Sequence, residues 1–236
     1  MKISGIQKST TIDYPGKIAC VIFTLGCNFR CPFCHNPESV LPEQMRLIQS
    51  DLIPSQAVFN FLKTRIWKLD WVSICGGEPT LHPDLYDFAK KIKEMGFLVK
   101  LDTNGRDCEI VKKMVNDWIL DYVAIDLKHT RDKYDIAVWL KQNNSFFDSY
   151  DCLLNFLLKW DIDYEYRATV VKWMHTLEDI EQMAQYIAGA KNFYLQNYVW
   201  GNTLDPSFWW QPFSDEELEE MCKVAKKYVQ NCGIRK

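Results

Sequence analysis

The sequence predicts an α/β protein of repeated βα units, with parallel strands inside and helices outside. Three observations point there. Short β-branched runs alternate with longer apolar patterns of helical period. No low-complexity stretch or Gly/Ser-rich linker interrupts them. The chemically unusual residues recur just past strand ends, where βα proteins gather function. At 236 residues the chain is shorter than the ~250 typical of a full eight-unit barrel. A partial, six-unit (β/α)6 TIM-like barrel is therefore expected. A flat doubly wound sheet has the same period and stays open as the alternative. One domain is expected over 1–236, with its core at about 16–200 and a helical C-terminal segment at about 201–236.

The elements follow in order. Ile18–Leu25 (IACVIFTL) reads as a buried strand after the turn DYPG, where Pro15 and Gly16 suit the centre of a type II turn. Pro54–Leu69 carries Ala57, Val58, Phe61, Leu62 and Ile66 at helical spacing. Trp71–Cys75 is a strand, and Leu85–Met95 a helix stopped by Gly96. Phe97–Asp102 is a strand ending in Asn104-Gly105, Glu109–Ile119 a helix and Tyr122–Leu127 a strand. Lys133–Leu140 and Asp151–Lys159 read as helices joined by the polar KQNNS. Tyr164–Val171 alternates as a strand, Leu177–Ala188 is a helix closed by Gly189, and Phe193–Gln196 is a short strand. Ser214 and Glu217 form a capping-box pattern that opens a last helix to about Val229.

Composition narrows the function. Net charge is −3 and the pI about 5.8, so no basic field draws nucleic acid. The Lys112–Lys113 and Lys226–Lys227 pairs fit solvated helix faces. MKISGIQKST lacks the apolar centre of a signal peptide, and no apolar run reaches the ~18 residues that span a bilayer. A cytoplasmic setting is expected. There, nine cysteines are better explained by metal binding at any close cluster than by disulfides.

The rim is unusually polar. The first strand leads into LGCNFRCPFCHNP, the second ends in Gly76-Gly77-Glu78-Pro79 and the third in Asp102-Thr103-Asn104. The fourth ends in Asp126-Leu127-Lys128-His129 and the sixth at Gln196-Asn197, while Arg167 lies within the fifth. So many unusual groups aimed at one rim define a site rather than a core.

Cys27, Cys31 and Cys34 form C-x3-C-x2-C. Structural zinc wants four ligands, usually two close pairs, and the remaining cysteines are isolated singles. His35 directly follows Cys34 and is poorly spaced to chelate the same tetrahedral ion. A loop with these gaps suits three corners of a [4Fe–4S] cube, leaving the fourth iron open to a substrate or cofactor. Alone, GGEP would read as an ordinary turn, Asp102 as a turn former before Asn-Gly and Lys128 as a surface lysine.

Taken together, C-x3-C-x2-C after the first strand and GGEP after the second resemble the radical S-adenosylmethionine (SAM) superfamily. That resemblance implies a [4Fe–4S] cluster on Cys27, Cys31 and Cys34, with SAM on the fourth iron through its amine and carboxylate. Gly76, Gly77 and Glu78 would receive the cofactor's ammonium. Cys75, before the glycines, stands where relatives often carry Ser or Thr. LDTNG and DLKH resemble the glycyl-radical-enzyme activating enzymes. Carried over, Asp102, Thr103, Asp126 and Lys128 contact SAM, Arg167 pairs with its carboxylate, and a monovalent cation is an optional addition. GIQKSTTIDYPGKIACVIFTLGCNFRCPFCHNPE and LQNYVWGNTLDP resemble the anaerobic ribonucleotide reductase activating proteins. The implied partners are a glycyl radical enzyme, namely that reductase, and a flavodoxin- or ferredoxin-type electron donor. Neither nucleic acid nor membrane is expected as a partner.

Two rival readings remain at this point: a radical enzyme acting on a small molecule or peptide, and a non-enzymatic iron–sulfur or zinc module. His35, His82 and His175 carry no assigned task. Trp200, Phe208, Trp209 and Trp210 are expected to pack the C-terminal segment by burial, ahead of the alternative of a docking patch.

Overall fold

In the computed structural model, the described residues are 1–11, 17–207 and 210–235. The DYPG turn, Phe208 and Trp209 lie outside them. The chain divides into two compact units, Met1–Asn28 with Asn36–Val123, and Phe29–His35 with Ala124–Lys236.

The first unit holds β1 (Ile3–Thr10), β2 (Ala19–Thr24), α1 (Pro42–Leu47), α2 (Ser55–Lys63), β3 (Trp71–Gly76), α3 (Leu85–Glu94), β4 (Leu98–Thr103) and α4 (Cys108–Asn116). β2, β3 and β4 pair in parallel, with Ile22 beside Ile74 and Ile74 beside Leu101. β1 adds to β2 in the antiparallel sense, with two register irregularities. The expected strands were parallel only, so β1 is an addition. Its exposed middle, Gln7-Lys8-Ser9, suits an edge strand and hides it from an alternation test. Both faces of the sheet are apolar, as parallel strands covered by helices require: Ile22, Val72, Ile74, Val99 and Leu101 are fully buried beside Val58, Leu62, Leu85 and Val111.

β5 (Tyr122–Asp126) leads into the second unit, with α5 (Tyr134–Val138), α6 (Asn144–Leu157), β6 (Asp163–Val170), α7 (Leu177–Tyr186), β7 (Asn192–Asn197), α8 (Asp215–Ala225) and β8 (Asn231–Arg235). β6, β7 and β8 are parallel neighbours. β8 was not expected, since the C-terminal segment read as helical throughout. Five residues interrupted by Gly233 are too few to show a period. The Ser214–Glu217 capping box is present in full and opens α8, but α8 ends at Ala225 rather than near Val229. α6 begins at Asn144 because Asn143 caps it, accepting from the Phe146 N–H, and so absorbs part of the KQNNS connector.

Helix ends depart from expectation in one respect. Gly96 and Gly189 stop α3 and α7 with positive φ, as glycine there should. Among the described residues, four non-glycines share that conformation and all are tryptophans: Trp67, Trp118, Trp139 and Trp173.

Candidate functional site

In the first unit, β2 delivers the chain to Cys27 through a tightly held corner. Gly26, at φ +101, donates to the Ser39 carbonyl and accepts from the Glu78 N–H, each at 2.8 Å. The Gly77 N–H donates to the Thr24 carbonyl at 2.8 Å. A Cβ on Gly77 would stand 2.0 Å from the Gly26 carbonyl oxygen, and one on Gly76 2.5 Å from the Thr24 nitrogen. The first demand on the two glycines is therefore contact with the backbone entering the cysteine loop.

Glu78 is 1% exposed and its carboxylate is surrounded by donors. Oε1 accepts from the Thr80 N–H (3.1 Å), the Thr80 hydroxyl (2.6 Å) and the Thr103 hydroxyl (2.8 Å). Oε2 accepts from the Asn104 N–H at 2.7 Å. Burial pushes the carboxyl above its ordinary pKa, and these hydrogen bonds offset part of that rise. Glu78 thus ties the loop after β3 to the loop after β4, and Thr103 is one of its ties. The Asn104 side chain continues the chain of contacts, donating to Asn28 Oδ1 at 2.8 Å, next to Cys27. Asp102 meets Lys100 at 3.2 Å. Asn28, Thr80 and Asn104 were not among the expected cofactor contacts, although Asn28 lies within LGCNFRCPFCHNP and Asn104 within LDTNG.

In the second unit, Phe29–His35 carries Cys31 and Cys34 and is anchored by its aromatic residues. Phe29 packs edge-on against Tyr134 and Phe146, at 6.1 and 5.6 Å, and Phe33 against Trp210 at 6.4 Å. His35 stacks on Tyr198; burial holds its pKa below the usual value, against a raising backbone hydrogen bond with Asn202. Backbone bonds finish the frame: Arg30 N–H to the Val138 carbonyl, Leu204 N–H to Cys34 and Asp205 N–H to Pro32, each 3.0 Å. The cysteine loop is thus held partly by the distant GNTLDP segment. Trp210 packs as expected of the C-terminal aromatics, whereas Trp200 is 58% exposed and does not.

Asp126, Lys128 and Arg167 come together in this unit. The Leu127 N–H donates to the Arg167 carbonyl at 2.7 Å, bringing the two loops level. Asp126 then accepts from Lys128 Nζ at 3.0 Å and Arg167 Nη2 at 3.2 Å. Burial alone would lower the Lys128 pKa, but Asp126 and Cys31 outweigh it and hold the ammonium protonated. Behind them stands a pair the sequence did not show. Glu165, 1% exposed, receives Arg235 through two bonds of 2.7 and 2.5 Å and lies 3.9 Å from Arg167. Asp102 thus meets Lys100 in the first unit, and Asp126 meets Lys128 and Arg167 in the second.

His129 and His175 brace the same loops. They stack at 4.7 Å. His129 Nε2–H donates to the Met174 carbonyl and His175 Nε2–H to the Lys128 carbonyl, at 3.0 and 2.9 Å. His175 Nδ1 accepts from the Val171 N–H, so the ring is neutral. Burial first, then His129, lowers its pKa to about 4.

The sequence pattern of the Radical SAM superfamily matches residues 21–225. A Methanocaldococcus jannaschii protein with the provisional name glycyl-radical enzyme activating enzyme is 36% identical over 99% of this chain and 95% of its own. The pyruvate formate-lyase-activating enzyme of Clostridium pasteurianum is 28% identical over 81% of this chain and 78% of its own. Among solved structures, a radical SAM methyltransferase from Sphaerobacter thermophilus superposes with a TM-score of 0.72 at 12% identity, covering 94% of this chain and 67% of that one. The last likeness concerns the fold alone, an incomplete βα barrel.

Proposed function

This chain belongs to the radical SAM superfamily, among the glycyl-radical-enzyme activating enzymes, and from that membership we propose that it installs the glycyl radical of an anaerobic ribonucleotide reductase. The family's cofactors are a [4Fe–4S] cluster and SAM; a reduced cluster held by Cys27, Cys31 and Cys34 would supply the electron for reductive cleavage of SAM.

The residues present fit those cofactors. Three thiols at 27, 31 and 34, without a fourth at matching spacing, suit a cluster with one iron left to the cofactor. This thiol set is the single observation that carries the reading. Cys27, Cys31 and Cys34 would hold the cluster. Because the Glu78 side chain is occupied by four protein donors, its part is to fix the Gly76–Glu78 backbone that meets the ammonium. Lys128 and Arg167 supply two cations for the carboxylate, with the Arg fork suited to two parallel bonds. Asp102 and Thr103 contribute through their loop. A primary carbon radical attacks the nearest C–H, so the chain's share is orientation and exclusion of water. A flavodoxin- or ferredoxin-type protein would supply the electron.

The reductase target rests on the N-terminal block and LQNYVWGNTLDP. It is tested by incubating the cluster-loaded protein, SAM and reductant with the anaerobic ribonucleotide reductase, and separately with a pyruvate formate-lyase, of the same source. A glycyl EPR doublet on the reductase, and none on the lyase, is expected. The reverse pattern assigns a different target.

A further inference from the structure

We infer that Cys222 and Cys232 form a reversible dithiol–disulfide site that staples α8 to β8. The two thiols come from different elements yet meet in the interior, where the Cys232 S–H donates to the Cys222 sulfur at 2.9 Å. That is within about 1 Å of the bonded separation of roughly 2.05 Å. Both are reduced, and both residues are nearly buried, at 5% and 4% exposure. Burial does not isolate them, because each lines an open cavity of about 360 Å3 together with Glu219, Lys223 and Lys226. Two lysines against one glutamate favour entry of an anionic reagent. The Lys226 charge also adds to the Cys232 hydrogen bond in drawing the Cys222 pKa down, which marks Cys222 as the attacking thiol.

The reaction balances with a low-molecular-weight disulfide as oxidant. The Cys222 thiolate attacks one sulfur of the disulfide and expels a thiolate. Cys232, deprotonated, then attacks the mixed disulfide at the Cys222 sulfur and expels the second. One S–S bond is made and one lost; the protein gives up two electrons and two protons, and the reagent becomes two thiols.

The site also has somewhere to act. β8 pairs along β7, with Gln196 beside Arg235, and ends at Arg235, which holds Glu165 beside Arg167. A bond at Cys232 would fix the strand that carries this arginine. The inference does not depend on the proposed reaction or its partner.

The test uses cluster-loaded protein under anaerobic conditions, equilibrated across a series of reduced-to-oxidised glutathione ratios and quenched in acid. Trypsin cuts at Lys223, Lys226 and Lys227 and so separates the two cysteines. A Cys222–Cys232 linked peptide pair should appear at a defined ratio, vanish with excess thiol, and accompany a rise in the thermal midpoint. Cys232→Ser should instead leave Cys222 as a glutathione adduct, without the rise. If both cysteines stay reduced, or each carries only glutathione across the whole series, the assignment is wrong.

Discussion

Gly77 shows how little room the entrance to the cysteine loop allows. An added Cβ would sit 2.0 Å from a backbone oxygen, not from a flexible side chain, so Gly77→Ala should cost about 2–4 kcal/mol and reduce iron and sulfide content severalfold, read by denaturation and metal analysis. Glu78→Gln tests the other half of this corner. Four donors converge on the carboxylate, three on Oε1 and one on Oε2, so an amide NH2 would face at least the Asn104 N–H, and a loss of about 1–3 kcal/mol is expected. At this scale the sequence revealed identities better than tasks. C-x3-C-x2-C and GGEP were legible because thiols and paired glycines are rare and their spacing is short. The saturation of Glu78 was not, because Thr80, Thr103 and Asn104 reach it from two loops. Arg235 and Glu165 lie 70 residues apart, and no local pattern joins them.

At the scale of elements, the βα repeats were legible, and the two edge strands were not. β2 and β3 are dense apolar runs and β6 alternates, whereas β1 is half polar and β8 is short, so neither has a period to read. Helix ends carry a second lesson. α4 ends at Asn116, and Trp118, just past its cap Asp117, takes the left-handed conformation, φ 57, with the residue 77% exposed. Trp118→Gly should therefore stabilise the protein by about 0.5–1 kcal/mol, measured by urea unfolding. The loop contact between His175 and Lys128 predicts a pH dependence. The folded pKa of about 4 lies below the unfolded value of ~6.5. His175 thus contributes stability that is complete above pH ~6.5 and lost as pH falls toward ~4, on the order of 3 kcal/mol. Neighbouring Asp179 opposes the shift and His129 adds to it. Unfolding free energies of wild type and His175→Gln should converge as pH falls through this window; curves that stay parallel would remove His175 from the account.

For the whole molecule, the fold fixes where chemistry is held rather than what it is. Unit one holds Cys27 and the Glu78 corner; unit two holds Cys31, Cys34 and the Asp126–Lys128–Arg167 cluster. Arg167→Ala strips one cation from that cluster and leaves the thiols in place. It should raise the KM for SAM about tenfold or more while cluster content holds, as loss of a charge-assisted contact of about 1.5–3 kcal/mol implies. No helix among the described residues is long and apolar enough to cross a membrane, and the 58% exposure of Trp200 is the main departure from the expected C-terminal packing.

The claim beneath all of this is that three cysteines hold a cluster whose remaining iron belongs to SAM. EPR of the anaerobically loaded, reduced protein, recorded before and after SAM is added, tests it most directly. The account predicts a [4Fe–4S] signal that shifts when SAM binds and is absent from Cys27→Ala, Cys31→Ala and Cys34→Ala. A signal that ignores SAM, or roughly one zinc per chain in place of iron, would contradict it.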